Sequence, residues 1–221
     1  VRIIGGTNMR ASLRALLMGA CLTLAPMGAE VVLAAPSAVA RAPVVATTQH
    51  VGTFNGQKVA YKAIVAETFL TDGAGAPTGS LVTTAYVRTD AKDAARPVLF
   101  LFNGGPGAST TPLHFGAFGP KKRTEDGPNQ RMVDNPDSIL DAVDLVFIDP
   151  IGTGYSRPLP GVDGKQFWSR SGDAASVKTV MAEWLKANGR EASPRYMLGQ
   201  SYGTTRAALV AGIGADLKLD G

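Results

Sequence analysis

Cysteine and histidine are nearly missing from this chain: it has one cysteine, Cys21, and two histidines, His50 and His114, in 221 residues. A lone cysteine cannot close an intramolecular disulfide. Without a histidine pair at helical spacing or a cysteine cluster, no metal site is expected, and no cofactor either. Excess charge is scarce too. The first forty residues hold Arg2, Arg10 and Arg14 against Glu30, leaving 19 basic and 17 acidic residues in the rest. Such a balance excludes the basic footprint of a nucleic-acid binder. The run Lys121-Lys122-Arg123 is followed by Glu125 and Asp126 and reads as a solvated loop rather than a phosphate-binding patch. A long apolar stretch is also lacking. The N-terminal one is broken by Pro26 and Glu30 and falls short of the ~20 residues that span a bilayer, so no stable membrane span is expected.

What the N-terminal region does contain is the pattern of a secretory signal. Met9 reads as the natural start, Arg10 to Arg14 as a short basic region, and Ala15 to Leu24 as the apolar segment. Ala38-Val39-Ala40 fits an A-x-A cleavage site, with Ala34 or Ala35 as alternatives. The expectation is an exported protein, periplasmic or extracellular, that loses Cys21 with its signal. Residues 41–50 read as an Ala/Pro/Thr linker, and residues 51–221 as the N-terminal part of an α/β domain.

Within that domain, Gln57 to Leu70 and Ser80 to Thr89 alternate and carry β-branched and aromatic residues, as antiparallel strands do. Val98 to Phe102, Leu145 to Ile148 and Tyr196 to Leu198 are short continuous apolar runs, which suit strands buried on both faces of a parallel sheet. Apolar residues at Val177, Val180, Met181, Trp184 and Leu185 predict a helix between Ser171 and Gly189, with Ser171 or Asp173 as its cap; a second is predicted from Thr204 to Leu217. Strand, helix, strand, turn, helix is an α/β sheet being wound.

Three glycine-containing turns follow the buried strands, at 103–109, 149–156 and 199–203. Ligands of open α/β sheets bind outside the carboxyl ends of the strands, so these turns should converge on one site. Gly199-Gln200-Ser201-Tyr202-Gly203 is a G-x-S-x-G sequence between a strand and a helix. A serine there sits on a sharp turn with its hydroxyl exposed. Alone the pattern is weak in a chain with 11 serines and 26 glycines. Its context makes Ser201 the candidate nucleophile for acyl transfer. The oxyanion then needs two fixed N–H donors at about 2.7–3.1 Å, supplied by Tyr202 after the serine and by Gly105 in the first glycine turn. That turn lacks the Lys-Ser/Thr of a P-loop, and Pro106 removes a donor, which argues against phosphate.

Together, Asn103-Gly104-Gly105-Pro106-Gly107-Ala108-Ser109, Asp149-Pro150-Ile151-Gly152-Thr153-Gly154-Tyr155-Ser156 and Gly199-Gln200-Ser201-Tyr202-Gly203-Thr204-Thr205-Arg206 resemble the serine carboxypeptidase family, in a bacterial form with a signal peptide. The resemblance implies an α/β-hydrolase fold and removal of C-terminal residues from peptides, with peptide or protein C-termini as partners. It implies Ser201 as nucleophile, the Gly105 and Tyr202 amides as oxyanion hole, and Asn103, with Gly104 and Gln200, at the substrate's terminal carboxylate. Arg206, one turn into the following helix, reads as structural.

Two departures shape the expectation. The family usually has Glu before the serine, where this chain has Gln200; an amide donates without being protonated, so carboxylate binding should persist to higher pH. On this fold the triad runs Ser, acid, His, and no histidine follows Ser201. Asp216 and Asp220 are poorly placed for the triad acid; His50 reads as solvated and His114 as a packing or surface histidine. The chain thus reads as an N-terminal fragment, inactive alone, with its base beyond residue 221. Another hydrolase of the same fold (esterase, acyltransferase or aminopeptidase) and an inactive peptide-binding product remain open.

Overall fold

The structure, a computed structural model, describes residues 41–91, 95–124 and 127–221. All lie in one compact unit, Ala35–Gly221. The proposed signal segment with Cys21, and the acids Glu125 and Asp126, lie outside the described residues.

Two long strands open the chain, β1 (Val45–Phe54) and β2 (Gln57–Thr71). Residues 45–50, read above as linker, are therefore strand. Their Ala/Thr content hides the cause, which is the Asn55-Gly56 turn. Both of its residues have positive φ, 48° and 77°, the geometry that matches strand twist in a two-residue hairpin. Strand β3 (Pro77–Arg88) pairs antiparallel with β2 after a turn in which the Asp72 carboxylate accepts from the amides of Ala74 and Ala76, both at 2.9 Å.

The buried runs follow as β4 (Val98–Phe102), then, after the short helix α1 (Thr111–Leu113) and one π-helical turn, a small hairpin of β5 (Lys121–Arg123) and β6 (Met132–Asp134). The basic run is thus a strand and not a loop. Its cross-strand neighbour supplies Asp134 to Lys121, and Asp137 lies 3.4 Å from Lys122. Strand β7 (Asp144–Asp149), the two-residue β8 (Arg157–Pro158), helices α2 (Lys165–Trp168) and α3 (Arg170–Ala187), β9 (Arg195–Gly199) and α4 (Tyr202–Ile213) complete the order. Helix α3 is capped by Ser169, whose Oγ accepts from the Gly172 amide at 3.0 Å, two residues ahead of the cap expected from its apolar stripe.

The main sheet runs β1-β2-β3-β7-β4-β9, antiparallel through β3–β7 and parallel from β7 through β4 to β9. With an elbow and helix after β9, this is the α/β-hydrolase arrangement. Alternation divides the central strands between two cores. Phe100, Phe102, Val146 and Ile148 face α3 and α4, while Leu101, Leu145 and Phe147 face Tyr61, Tyr86 and Leu113. Because β4 leads to β7 on one side and β7 crosses back to β9 on the other, the switch of direction falls at the carboxyl end of β4. At the opposite end, the fully buried Asp144 accepts from Arg96 Nε (2.9 Å), Arg190 and the Arg88 amide (3.0 Å). No helix among the described residues is long and apolar enough to cross a membrane.

His114 lies in the second core. Its Nε2 is 2.6 Å from the Tyr86 hydroxyl, and its ring stacks on Phe115 and Phe147 at 3.8 and 4.3 Å. Burial lowers its pKa from 6.5 to about 4, so the fold holds the neutral imidazole. Between those values the unfolded chain binds more protons than the native one. Stability is therefore full above pH 6.5 and falls as pH drops towards 4, by up to about 3 kcal/mol. Urea unfolding at pH 7.5 and 4.5 should show this loss, and His114→Gln should be less stable at pH 7.5 but nearly level between the two. An equal acid loss in the variant would assign it to other groups.

Candidate active site

Three strand ends meet at the switch point. Strand β9 delivers Ser201 in a strained conformation, φ 59° and ψ −127°, with the residue exposed. A non-glycine residue held there costs about 1–3 kcal/mol, supported by its surroundings. The two flanking glycines are steric requirements of this turn. A Cβ on Gly199 would overlap the Gly203 carbonyl, and one on Gly203 would lie 2.7 Å from the Phe102 carbonyl oxygen. Backbone bonds lock the elbow: Gln200 N to Phe102 O (3.2 Å), Gly203 N to Gln200 O (2.9 Å) and Thr204 N to Ser201 O (2.9 Å).

The glycine turn after β4 lies directly against this elbow. A Cβ on Gly104 would collide with the Tyr202 amide nitrogen and approach Gly203 N to 2.7 Å and Gln200 O to 2.8 Å. Gly104 is thus placed by close backbone approach. Gly105 has φ +107°, and the Ala108 amide closes the turn on the Gly104 carbonyl at 3.0 Å. The amides of Gly105 and Tyr202 find no acceptor among the described residues. Two unsatisfied donors thus sit on backbones in van der Waals contact beside an exposed serine hydroxyl. That arrangement can hold a developing oxyanion.

Asn103 and Gln200, from different turns, are brought together. Asn103 Oδ1 accepts from the Leu113 amide at 3.2 Å, so its Nδ2 is the donor, and that donor meets Gln200 Oε1. The network settles both amide orientations and leaves the NH2 group of the exposed Gln200 without an acceptor among the described residues. Beneath them Arg206, 1% exposed, donates from Nε to both carboxylate oxygens of Asp173 at 3.0 and 2.9 Å and from Nη1 to the Asn103 carbonyl at 2.5 Å. Arg206 is thus structural, as its position in the sequence suggested. Burial raises the Asp173 pKa and the guanidinium opposes the rise.

Asp149, assigned no role from sequence, joins the turn after β7 to the turn after β4. Its Oδ1 accepts from the Thr110 amide at 2.7 Å, and burial raises its pKa. Ser156 Oγ donates to the Asp149 carbonyl at 2.7 Å and accepts from Val82 N at 2.8 Å, securing the other end of the loop. Between this loop, Trp168 and Tyr202 opens a cavity of about 710 Å³. Trp168 is 63% exposed and forms part of its wall.

Neither histidine approaches Ser201. His50 is on β1 at the far edge of the sheet, five strand spacings or roughly 24 Å from β9. His114 is enclosed in the second core. Asp220 pairs with the backbone of Arg195 at the opposite end of β9, and Asp216 with Lys178 at 2.8 Å.

Comparisons with known proteins bear on the family of the chain. The family described as serine carboxypeptidase matches residues 85–213, which include all three turns. Among curated proteins, serine carboxypeptidase-like 36 of Arabidopsis thaliana is 31% identical over 134 residues, covering 57% of this chain and 26% of that protein. Serine carboxypeptidase-like 9 of the same plant is 26% identical over 125 residues, covering 53% and 27%. The chain thus spans about a quarter of the length of the curated relatives it matches. Among solved structures, the peroxisomal α/β-hydrolase Lpx1 of Saccharomyces cerevisiae covers 79% of this chain and 41% of its own at 13% identity and a TM-score of 0.42. The glucuronoyl esterase from Solibacter usitatus covers 80% and 51% at 17% identity and 0.39. Those scores decide nothing about activity. The match over more than half of the chain does decide ancestry: this chain belongs to the serine carboxypeptidase family.

Proposed function

We propose that the chain carries the nucleophile, oxyanion donors and terminal-carboxylate site of an exported serine carboxypeptidase. The observation that supports it best is the Asn103–Gln200 pair beside the elbow, which presents an amide donor where the carboxylate of a peptide C-terminus would lie. Ser201 Oγ attacks the last peptide carbonyl, passing its proton to a general base. The oxyanion accepts from the Gly105 and Tyr202 amides, each such donor being worth about 3–4 kcal/mol of barrier. Collapse expels the C-terminal amino acid, protonated by the base, and water then hydrolyses the acyl-serine. The base and its orienting acid come from outside the described residues. Export follows from residues 9–40, with cleavage after Ala40 and a periplasmic or extracellular destination.

The protein carrying its base should release single amino acids from N-blocked dipeptides, and Ser201→Ala should lower kcat by about 10⁴-fold or more with little change in peptide affinity. Turnover of esters with no peptide cleavage would overturn the carboxypeptidase reading.

Gln200 adds a pH dependence. Its amide needs no proton to meet a carboxylate, so KM for blocked dipeptides should stay level as pH rises from 5 to 8. In Gln200→Glu a second carboxylate ionises as pH climbs past roughly 4–6, and KM should rise about tenfold or more across that span. Matching KM profiles for the two proteins would remove Gln200 from the carboxylate site.

A further inference from the structure

The glycine turn has cavities on both sides. One is the Trp168 cavity, which reaches the turn at Pro106 and Gly107. The other, of about 700 Å³, begins at Ala108 and Ser109 and continues along Thr111 and Pro112 to Arg123 and Thr124. It is tied to the Asn103–Gln200 pair through the chain: the amide that fixes Asn103 belongs to Leu113, the residue after Pro112 in the segment that lines this cavity. In a peptide the side chain of the last residue is the one carried on the carbon next to the terminal carboxylate.

The cavity sets apolar groups, Pro112 and Phe115, beside polar ones, and among the described residues that line it the charge is of one sign. Its wall offers the hydroxyls of Ser109 and Thr111, 2.9 Å apart, and the Arg123 guanidinium, with no carboxylate among the described residues that line it. Arg123 differs from the two cations before it. Lys121 and Lys122 are paired with Asp134 and Asp137, whereas Arg123 stands opposite Met132 and has no acidic partner among the described residues. Its place is held by the hairpin, which continues through Thr124 N to Arg131 O (2.9 Å) and Arg131 N to Thr124 Oγ1 (3.0 Å). A guanidinium without an acidic partner among the described residues can form charge-assisted bonds with a carboxylate that enters the cavity.

We infer that this cavity receives the side chain of the C-terminal residue and that Arg123 makes the enzyme select substrates ending in Glu or Asp. The inference rests on the carboxypeptidase reading and gives it a substrate class. Replacing attraction by repulsion at a largely exposed site changes affinity by several-fold, because water screens both.

The test is kcat/KM of the full-length protein on three N-blocked dipeptides that differ only in the last residue, Glu, Leu or Lys, taken as ratios within one preparation so that the fraction folded cancels. Wild type should favour Glu over Lys by about fivefold or more. Arg123→Gln should bring that ratio close to one, and Arg123→Glu should invert it. Wild-type turnover with a Glu-to-Lys ratio that neither variant moves would overturn the inference and leave the carboxypeptidase reading standing. Absence of amino-acid release from all three by wild type would overturn that reading, and the inference with it.

Discussion

A single buried guanidinium joins the parts of the site. Arg206 on α4 reaches Asp173 on α3 and the main-chain carbonyl of Asn103 at the end of β4, with the rings of Phe102 and Tyr202 at 5.5 and 5.3 Å. A charge at 1% exposure is tolerated only when its donors are met, and losing one partner of such a pair typically costs about 3–5 kcal/mol. The contact therefore requires three separately encoded elements to converge at one depth. Convergence sets the distance between the glycine turn and the elbow.

At that distance side chains do not fit. Gly104 touches the Tyr202 amide through its Cα alone, and Gly199 and Gly203 leave room for the turn that lifts Ser201 into a positive-φ conformation. Strain at the serine and crowding at the glycines are thus two aspects of one geometry. It exposes a hydroxyl and leaves two backbone donors unpaired in the same place. Those donors, without acceptors among the described residues, are a cost to the folded chain, which the proposed reaction offsets when an oxyanion arrives.

In the proposed reaction the glycine turn also separates the two sides of the scissile bond, with the apolar Trp168 cavity on one side and the polar Arg123 cavity on the other. In the proposed carboxylate site the Asn103–Gln200 contact contains no ionisable group, so its geometry does not depend on pH.

The chemistry of the turns was legible in the amino-acid order because it depends on local backbone conformation. G-x-S-x-G and Asn-Gly-Gly-Pro-Gly encode tight turns with few alternatives, and the doubly apolar runs at 98–102 and 145–148, short and bounded by turn residues, suited interior strands. Local signals were also where the reading slipped. Ala/Thr composition obscured β1, whose cause is the Asn55-Gly56 turn, and three consecutive cations concealed the strand Lys121–Arg123. What only tertiary structure decided is which distant residues meet: Asn103 with Gln200, 97 positions apart, Arg206 with Asp173, and His114 with Tyr86 in a core that keeps its imidazole neutral. No spacing along the chain encodes these contacts. They follow from the order in which strands add to the sheet and from the two faces of each strand, and both depend on the whole fold closing at once.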